Sequence, residues 1–355
     1  MSLIWHHYVD GSATGIDPAS GVPRAKSITK AAGRIFAAYG ATVKYCAVGN
    51  ARDWNTASDA GFLPVQLQQD TGDECVAVGT FQKKLAVFFA TSVQTWDVAV
   101  DPSANQIDQR LYGVGTLAPL SLGSFSNDLA FLSPFGFRSV AVRMQTDQID
   151  DNDLGVPIDS LVLPDMQAIE NLGATAYDPL GVWIHELGQY WCIFDQGTIS
   201  KAWVFTYSKT SKIGCWSEYT FPIRITDVCG LNGKVYLRTA TTLYEVDADQ
   251  YTDDGVAIDV EVQMAFQDAK LPGVSKIFTG ADMVVTGSAD FSVLYDPRDL
   301  GKESIAQTLS GDTRPGDLIP VEVVATSIAP VFRHSADEAF EIAALSLYFE
   351  SLGTV

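Results

Sequence analysis

The sequence predicts an all-β protein: a β-propeller of about five or six irregular blades, followed by a C-terminal antiparallel β-sandwich-like region. Three observations predict it. First, the composition favours pleated surfaces, with 18 Phe, 13 Tyr and 7 Trp among 355 residues and many Val and Thr. Second, short apolar strands recur between small turns. Their leading edges fall near residues 34, 76, 129, 182 and 235, at spacings of about 42, 53, 53 and 53. A period of roughly 40–50 residues built from four short strands is what a propeller blade requires. Third, the hydrophobic pattern changes to strict alternation near residue 252. An ordinary meandering sandwich is the competing reading of the first two observations.

Residues 1–30 carry turn chemistry, as in Asp17-Pro-Ala-Ser-Gly21 and Val22-Pro23, and read as an N-terminal arm. The propeller is assigned to residues 31–252. Arg34–Tyr39, a Gly turn and Val43–Val48 form a hairpin pattern. Cys75–Val78, Leu85–Phe89 and Ser92–Val98 read as three strands of one unit. Asp128–Leu132, Pro134-Phe-Gly136 and Phe137–Val142 form another hairpin. Gly181–His185, Gln189–Phe194, Lys201–Tyr207 and Gly214–Tyr219 follow. Ile225–Cys229, Asn232-Gly233, Lys234–Arg238 and Leu243–Val246 close the series. Residues 154–172 are the best helix candidate and read as a connection between blades. Residues 253–355 form the sandwich-like region, in which Val256–Met264, Ala281–Thr286, Phe291–Tyr295, Ile319–Ala325 and Phe340–Glu350 alternate with period 2. That is the pattern of an antiparallel sheet with one wet face.

Net charge is −20, from 43 acidic and 23 basic residues. So acidic a surface repels phosphates, which argues against wrapping or sequence-reading DNA binders but not against a pore through which DNA slides. No apolar run approaches the roughly 20 residues that span a bilayer, and the start lacks the pattern of a signal peptide. The expectation is synthesis in a reducing cytosol. Cys46, Cys75, Cys192, Cys215 and Cys229 are odd in number and form no Cys-x-x-Cys pair. They read as buried free thiols in strands, with a disulfide or zinc site as the minority reading.

Motifs for chemistry are sparse. His185-Glu186 begins like a zinc-protease helix, but the second His is missing. Adjacent His6 and His7 would point to opposite faces of a strand. Asp151 and Asp153, and Asp247 and Asp249, lie in segments loosely like Ca²⁺ loops, and are the candidate metal ligands. Both segments lack a bidentate Glu at the twelfth position, so acidic solvated turns are the competing reading. Asp195-Gln-Gly-Thr198 with Trp203 only faintly follows the sialidase turn motif, and Trp96-Asp97 lacks the Gly-His partner of a WD repeat. No phosphate-binding Gly loop or nucleophile elbow occurs. The sequence therefore predicts no enzyme and no cofactor.

Gly33-Arg-Ile-Phe-Ala-Ala-Tyr-Gly40, Val48-Gly-Asn-Ala-Arg-Asp-Trp54 and Asp59-Ala-Gly-Phe62 run in an order that resembles propeller-bearing tail proteins of short-tailed bacteriophages. Leu85–Trp96, Asp101-Pro102, Gly113-Val-Gly115 and Asp128–Gly136 continue the resemblance. It covers about residues 33–145, with weaker similarity from Asp312-Thr-Arg-Pro-Gly316 onward, and relatives in that family are often longer. The resemblance implies a tail nozzle or hub, usually a homo-hexameric ring that extends the portal channel, retains packaged DNA and conducts it at ejection. It implies head-tail adaptor or portal-proximal neighbours, tail fibres or spikes, duplex DNA passing without specific binding, and a place in the virion tail after synthesis in the host cytoplasm. Trp54 is expected to pack the first blade, Asp53 and Asp59 to hold tight turns, and Trp96 to end a blade strand. A carbohydrate-binding or glycosidase-type propeller is the first alternative. A receptor- or fibre-docking virion propeller is the second.

Overall fold

The computed structural model describes residues 23, 25, 27–69, 72–125, 128–145, 153–208, 213–247, 249–310 and 313–354. The chain divides into two compact units, Met1–Val246 and Asp247–Val355. The first unit thus ends at Val246, ahead of the boundary expected at residue 252.

The first unit is a series of small antiparallel meanders in chain order. The first sheet is β1 (Ile28–Ala31), β2 (Arg34–Tyr39), β3 (Thr42–Tyr45) and β4 (Gly61–Leu63). The second is β5 (Ala77–Phe81), β6 (Lys84–Phe88), β7 (Ser92–Asp97) and β8 (Gln106–Tyr112). The third has three strands, β9 (Gly123–Phe125), β10 (Asp128–Ser133) and β11 (Gly136–Ser139). Two helices follow, α1 (Val140–Gln145) and α2 (Asp159–Leu172). The fourth sheet is β12 (Leu180–Ile184), β13 (Gln189–Asp195), β14 (Ser200–Ser208) and β15 (Ile213–Phe221). The fifth is β16 (Asp227–Leu231), β17 (Lys234–Arg238) and β18 (Leu243–Val246).

The sheets stack face on face, each through its own apolar seam. Phe36, Val43 and Tyr45 of the first sheet meet Val78, Leu85 and Trp96 of the second. The other face of the second sheet, with Phe81 and Phe88, meets Leu129 and Phe131 of the third. Leu132 and Phe137 then pack with Tyr190, Cys192 and Phe194 of the fourth sheet, and Ile158 and Val162 beside and on α2 join that seam. The opposite face of the fourth sheet, with Trp191, Ile193 and Val204, packs on Val235 and Leu237 of the fifth. First strands lie against first strands: β1 and β5, β5 and β9, β9 and β12, β12 and β16. First strands packed against first strands in chain order is the blade arrangement of a β-propeller, and among the described residues the unit shows five such sheets in series. Two glycines mark where blades crowd. A Cβ on Gly123 would stand 2.2 Å from the Tyr190 ring, and one on Gly181 would stand 2.2 Å from the Ser121 carbonyl oxygen.

Local chemistry shifts some boundaries. β1 begins at Ile28, so the last residues of the expected arm belong to the first blade. Ser27 explains this: its Oγ donates to the Val78 carbonyl (3.2 Å) and accepts from the Val78 N–H (3.1 Å), which pins the entry strand to the second sheet. The strand expected through Val142 stops at Ser139 and becomes α1. Ser139 Oγ accepts from Val142 N–H, and Asp128 accepts from Ala141 N–H, so the capping chemistry wins over strand propensity. The helix expected in 154–172 is α2. Asn232 and Gly233 both have positive φ, at 54° and 84°, the mirror-image turn that Asn-Gly favours between β16 and β17.

The second unit opens with a short hairpin, β19 (Thr252–Asp253) and β20 (Val256–Ala257). Two sheets follow. One is ordered β21 (Val260–Gln263), β26 (Ala329–His334), β23 (Ala289–Leu294), β24 (Gln307–Leu309); the other is β25 (Ile319–Ala325), β22 (Val274–Thr286), β27 (Glu341–Thr354). Phe278, Met283 and Val285 of one sheet and Phe291, Val293 and Phe332 of the other share a core, so the unit is an antiparallel sandwich. Lys276 is fully buried in it, and its ammonium is satisfied by the carbonyls of Leu271, Val274 and Thr326 at 2.8–2.9 Å. A buried cation kept this way is a structural group.

Candidate functional site

The stretch that carries the family resemblance folds around Arg34. This side chain is 1% exposed, at the first position of the otherwise apolar strand β2. It donates to the Cys46 carbonyl (2.9 Å), the Asp59 backbone carbonyl, Asp59 Oδ1 (2.5 Å) and the Val100 carbonyl (2.6 Å), and lies 5.4 Å above the Tyr45 ring. One side chain thus ties the loop 46–60 to its own sheet and to the loop after β7. Asp59 completes the knot by accepting from the Val48 N–H at 3.0 Å. Asp53 closes a smaller turn within the loop. It accepts from the N–H groups of Asn55 and Thr56, each at 3.0 Å, and from the Thr56 hydroxyl. The Thr56 hydroxyl and N–H, with the Asn55 N–H, hold the Asp53 carboxyl below the usual carboxylate range.

The two tryptophans part company. Trp96 is buried in the first seam, with its indole N–H on Gln94 Oε1 at 3.0 Å. Trp54 was expected to pack the first blade, yet it is half-buried in the loop and belongs to no apolar cluster among the described residues. Its indole N–H donates to the Ala51 carbonyl at 2.8 Å, so it is a turn residue. The seam of the first blade is already filled by Phe36, Tyr45 and Trp96.

The candidate metal ligands do not converge. Asp151 lies outside the described residues. Asp153 is buried, accepts from the Ser139 and Leu154 N–H groups, and faces Arg138 Nε at 3.7 Å. Burial pushes its carboxyl up, against the lowering influence of Leu154 N–H, Arg138 and Ser139 N–H. A carboxylate facing a guanidinium is a poor place for a cation. Asp247 and Asp249 form a solvent-exposed turn in which Asp247 accepts from the Asp249 N–H at 3.0 Å. Among the described residues no three His, Cys, Asp or Glu side chains are grouped to hold a metal. His6 and His7 also lie outside the described residues. His185 and Glu186 are exposed in the turn between β12 and β13, not on a helix.

Asp195 has a structural task. Arg224 clamps it with Nε at 2.8 Å and Nη2 at 2.5 Å, and the Tyr177 and Gly197 N–H groups add two bonds at 2.9 Å each. Burial pushes this carboxyl up, but the four donors outweigh it and hold it below the usual range. Neither Arg34 nor Arg224 stood out in the sequence; an arginine at the head of an otherwise apolar strand, as in Arg34-Ile-Phe-Ala-Ala-Tyr39, was the available signal. The thiols divide as well. Cys46, Cys75 and Cys192 are buried, with Cys192 pushed up to about 12 by burial, whereas Cys215 and Cys229 are exposed and correct the expectation for those two.

Sheets in both units leave apolar surface open among the described residues. The fifth sheet has no seam on its far side among the described residues. Leu231 (59% exposed) and Leu243 (63%) lie there beside Cys229 and Tyr236, with the Lys234–Glu245 ion pair between them. In the second unit, β27 is an edge strand paired only with β22 among the described residues. Its core-side residues are only half-buried, and beside them a groove of about 380 Å³ opens onto Met264, Phe278, Leu345, Leu347 and Phe349.

Comparison with known proteins adds little. No family model and no curated protein matches this chain. Among solved structures it is similar to Hsv2 of Kluyveromyces lactis, at 8% identity and a TM-score of 0.30, over 55% of this chain and 60% of that one. It is also similar to the AfRom2 CNH domain, at 8% identity and a TM-score of 0.33, over 63% of this chain and 68% of that one. The match thus spans less than two thirds of the Hsv2 chain. The propeller and sandwich assignments rest on strand order and seams, not on these likenesses.

Proposed function

We propose that this chain is a non-catalytic structural subunit of a short-tailed bacteriophage tail, a nozzle or hub ring that extends the portal channel. In this role it is a homo-hexamer in the virion, seated against adaptor or portal-proximal proteins, and duplex DNA slides through it without specific contacts. The observation that carries the reading is a serially seamed stack of blades whose fifth sheet has no seam on its far face among the described residues, in a chain of net charge −20. Blades of this kind make stiff wedges, and wedges joined head to tail around an axis close into rings. Acidic walls repel phosphates and keep a duplex mobile. The charged residues that the resemblance singles out, Asp53 and Asp59 with Arg34, are spent on holding loops, which suits a scaffold.

The test is the mass of the purified chain by light scattering, with negative-stain microscopy of the same sample. Closed rings of about six copies are expected, with no duplex binding at low salt. A chain that stays monomeric at high micromolar concentration, or that binds duplex DNA tightly, overturns the reading.

A further inference from the structure

The seams of the first unit have a direction, set at the first hairpin of each blade. That hairpin closes between Ala31 and Arg34 in the first blade, Phe81 and Lys84 in the second, and Leu231 and Lys234 in the fifth. Side chains alternate along a strand, so every second residue before the closing one shares its face. In the first blade that face looks forward. Ala31 lies in the seam with the second sheet, Thr29 Oγ1 is 2.9 Å from Thr80 Oγ1, and Ser27 binds Val78. In the second blade Phe81 and Ala77 look forward to the third sheet, and Val78 looks back to the first. The same phase makes Leu231, Cys229 and Asp227 part of a forward face, and Ile28 and Lys30 part of a backward face. Neither of these two faces joins a seam among the described residues.

Both faces hold apolar side chains in water. Leu231 and Leu243 are exposed on the fifth sheet, so the chain's own first blade does not cover them. On the first sheet the cross-strand register puts Ile28, Ala37, Lys44 and Phe62 in one row with Tyr39 on the same face, and Phe62 and Tyr39 are exposed. Charge sorts the occupants. The strands of the backward face carry Lys30 and Lys44 and no acid. The forward face carries Asp227 and Glu245 on its flanking strands, and Lys234 and Arg238 on its middle strand. Two forward faces related by a two-fold axis along or across β17 would set Lys234 against Lys234 or Arg238. Two backward faces would oppose lysines with no acid between them. Like charges set together in this way are costly. A forward face on a backward face avoids both and gives the lysines carboxylates to meet. Asp227 also occupies the place in the fifth blade that Ser27 holds in the first, where Ser27 Oγ accepts from the Val78 N–H at 3.1 Å. The residue that matches Val78 in the first blade is Ile28, two places from Lys30.

We infer that the forward face of the fifth blade of one copy docks on the backward face of the first blade of the next copy. β16 then lies against β1 as first strands do within the unit, Asp227 meets Ile28 and Lys30 of the next copy, and Leu231 and Leu243 bury its apolar row. The inference rests on the ring reading above and names its joint, since contact between unlike faces is head to tail, the kind that closes rings.

Three samples of the full-length chain test it by light scattering: the unaltered chain, Leu231→Arg on the forward face and Tyr39→Glu on the backward face. Both positions are exposed, so each variant should keep its melting transition. The unaltered chain is expected to assemble and each variant to be monomeric, because each sets like charges across the joint. An equimolar mixture of the two variants should give one-to-one dimers and nothing larger, since it retains one working face of each kind. Should a variant lose its melting transition, amide exchange of the unaltered chain decides: exchange along β16 to β18 should slow about tenfold between dilute and assembled samples. Assembly that survives either variant, or exchange along β16 to β18 that assembly leaves unchanged, overturns the inference and leaves the ring standing. An unaltered chain that is monomeric at every concentration overturns both.

Discussion

The fourth and fifth blades are built alike and buried differently. β13 reads Gln189-Tyr-Trp-Cys-Ile-Phe-Asp195, and every residue after the first is buried. β17 reads Lys234-Val-Tyr-Leu-Arg238, and only Val235 and Leu237 are buried. Both are second strands of meanders that hydrogen-bond in the same order. The difference is position in the stack: the fourth sheet has a seam on each face, and the fifth has one. A strand buried on both sides must be apolar throughout, whereas one with a wet face alternates. The alternation in β17 is therefore a record, in the sequence, of where the stack of seams ends.

The largest expected effect breaks the doubly buried side of this comparison. Tyr190 is fully buried and donates its hydroxyl to the Ser121 carbonyl, in addition to packing against Gly123 and Phe137. Tyr190→Ala should cost about 3–5 kcal/mol in chemical denaturation, as truncation of large buried aromatics does. Next is the clamp at the end of β13. Asp195→Asn removes the charge that Arg224 grips and should cost about 1.5–3 kcal/mol at neutral pH. Because the folded Asp195 carboxyl is held low, its stabilisation is present above about pH 4 and is lost as pH falls through the folded value. The variant should therefore show a shallower acid limb in a pH series of melting curves.

Asp153 supplies the opposite sign. Burial raises its folded carboxyl, so protonation there favours the folded state as pH falls through that value. Asp153→Asn keeps an acceptor for the Ser139 and Leu154 N–H groups and should remove this acid-side gain, visible as a flatter stability curve at mildly acidic pH. The smallest effect belongs to the far face of the fifth sheet. Tyr236→Ala should lower the unfolding free energy by less than about 0.5 kcal/mol, since no apolar cluster of the described residues packs over that face. A penalty as large as that of Tyr190→Ala would dissolve the contrast.

Much of the architecture was legible because each blade carries its own local signals. Asn232-Gly233 fixes a turn, and apolar runs such as Leu85–Phe88 fix doubly buried strands. The period was read with its phase mixed. The leading edges near 34, 129 and 235 fall on or beside second strands, β2, β10 and β17, whereas those near 76 and 182 fall on or beside first strands, β5 and β12. First strands such as Gly123–Phe125 are short and weakly apolar, so the second strand gave the stronger signal. The site residues were less legible, for a physical reason. Asp53 and Asp59 announce turns through local spacing, but the role of Arg34 depends on Val100, 66 residues away, and no local pattern encodes that distance. Trp54 misled because a large aromatic is usually a core residue, while here its indole N–H closes a turn three residues back.

Seams in series also set an order of failure. Among the described residues the seams join each blade to the blades before and after it, so loosening travels along the chain like the fraying of a repeat array. The fifth blade, seamed on one face among the described residues, is an end at which such fraying can start. Amides of β16 to β18 should exchange with solvent well before those of β13, and any body that settles onto the free face would stop the unravelling at its source.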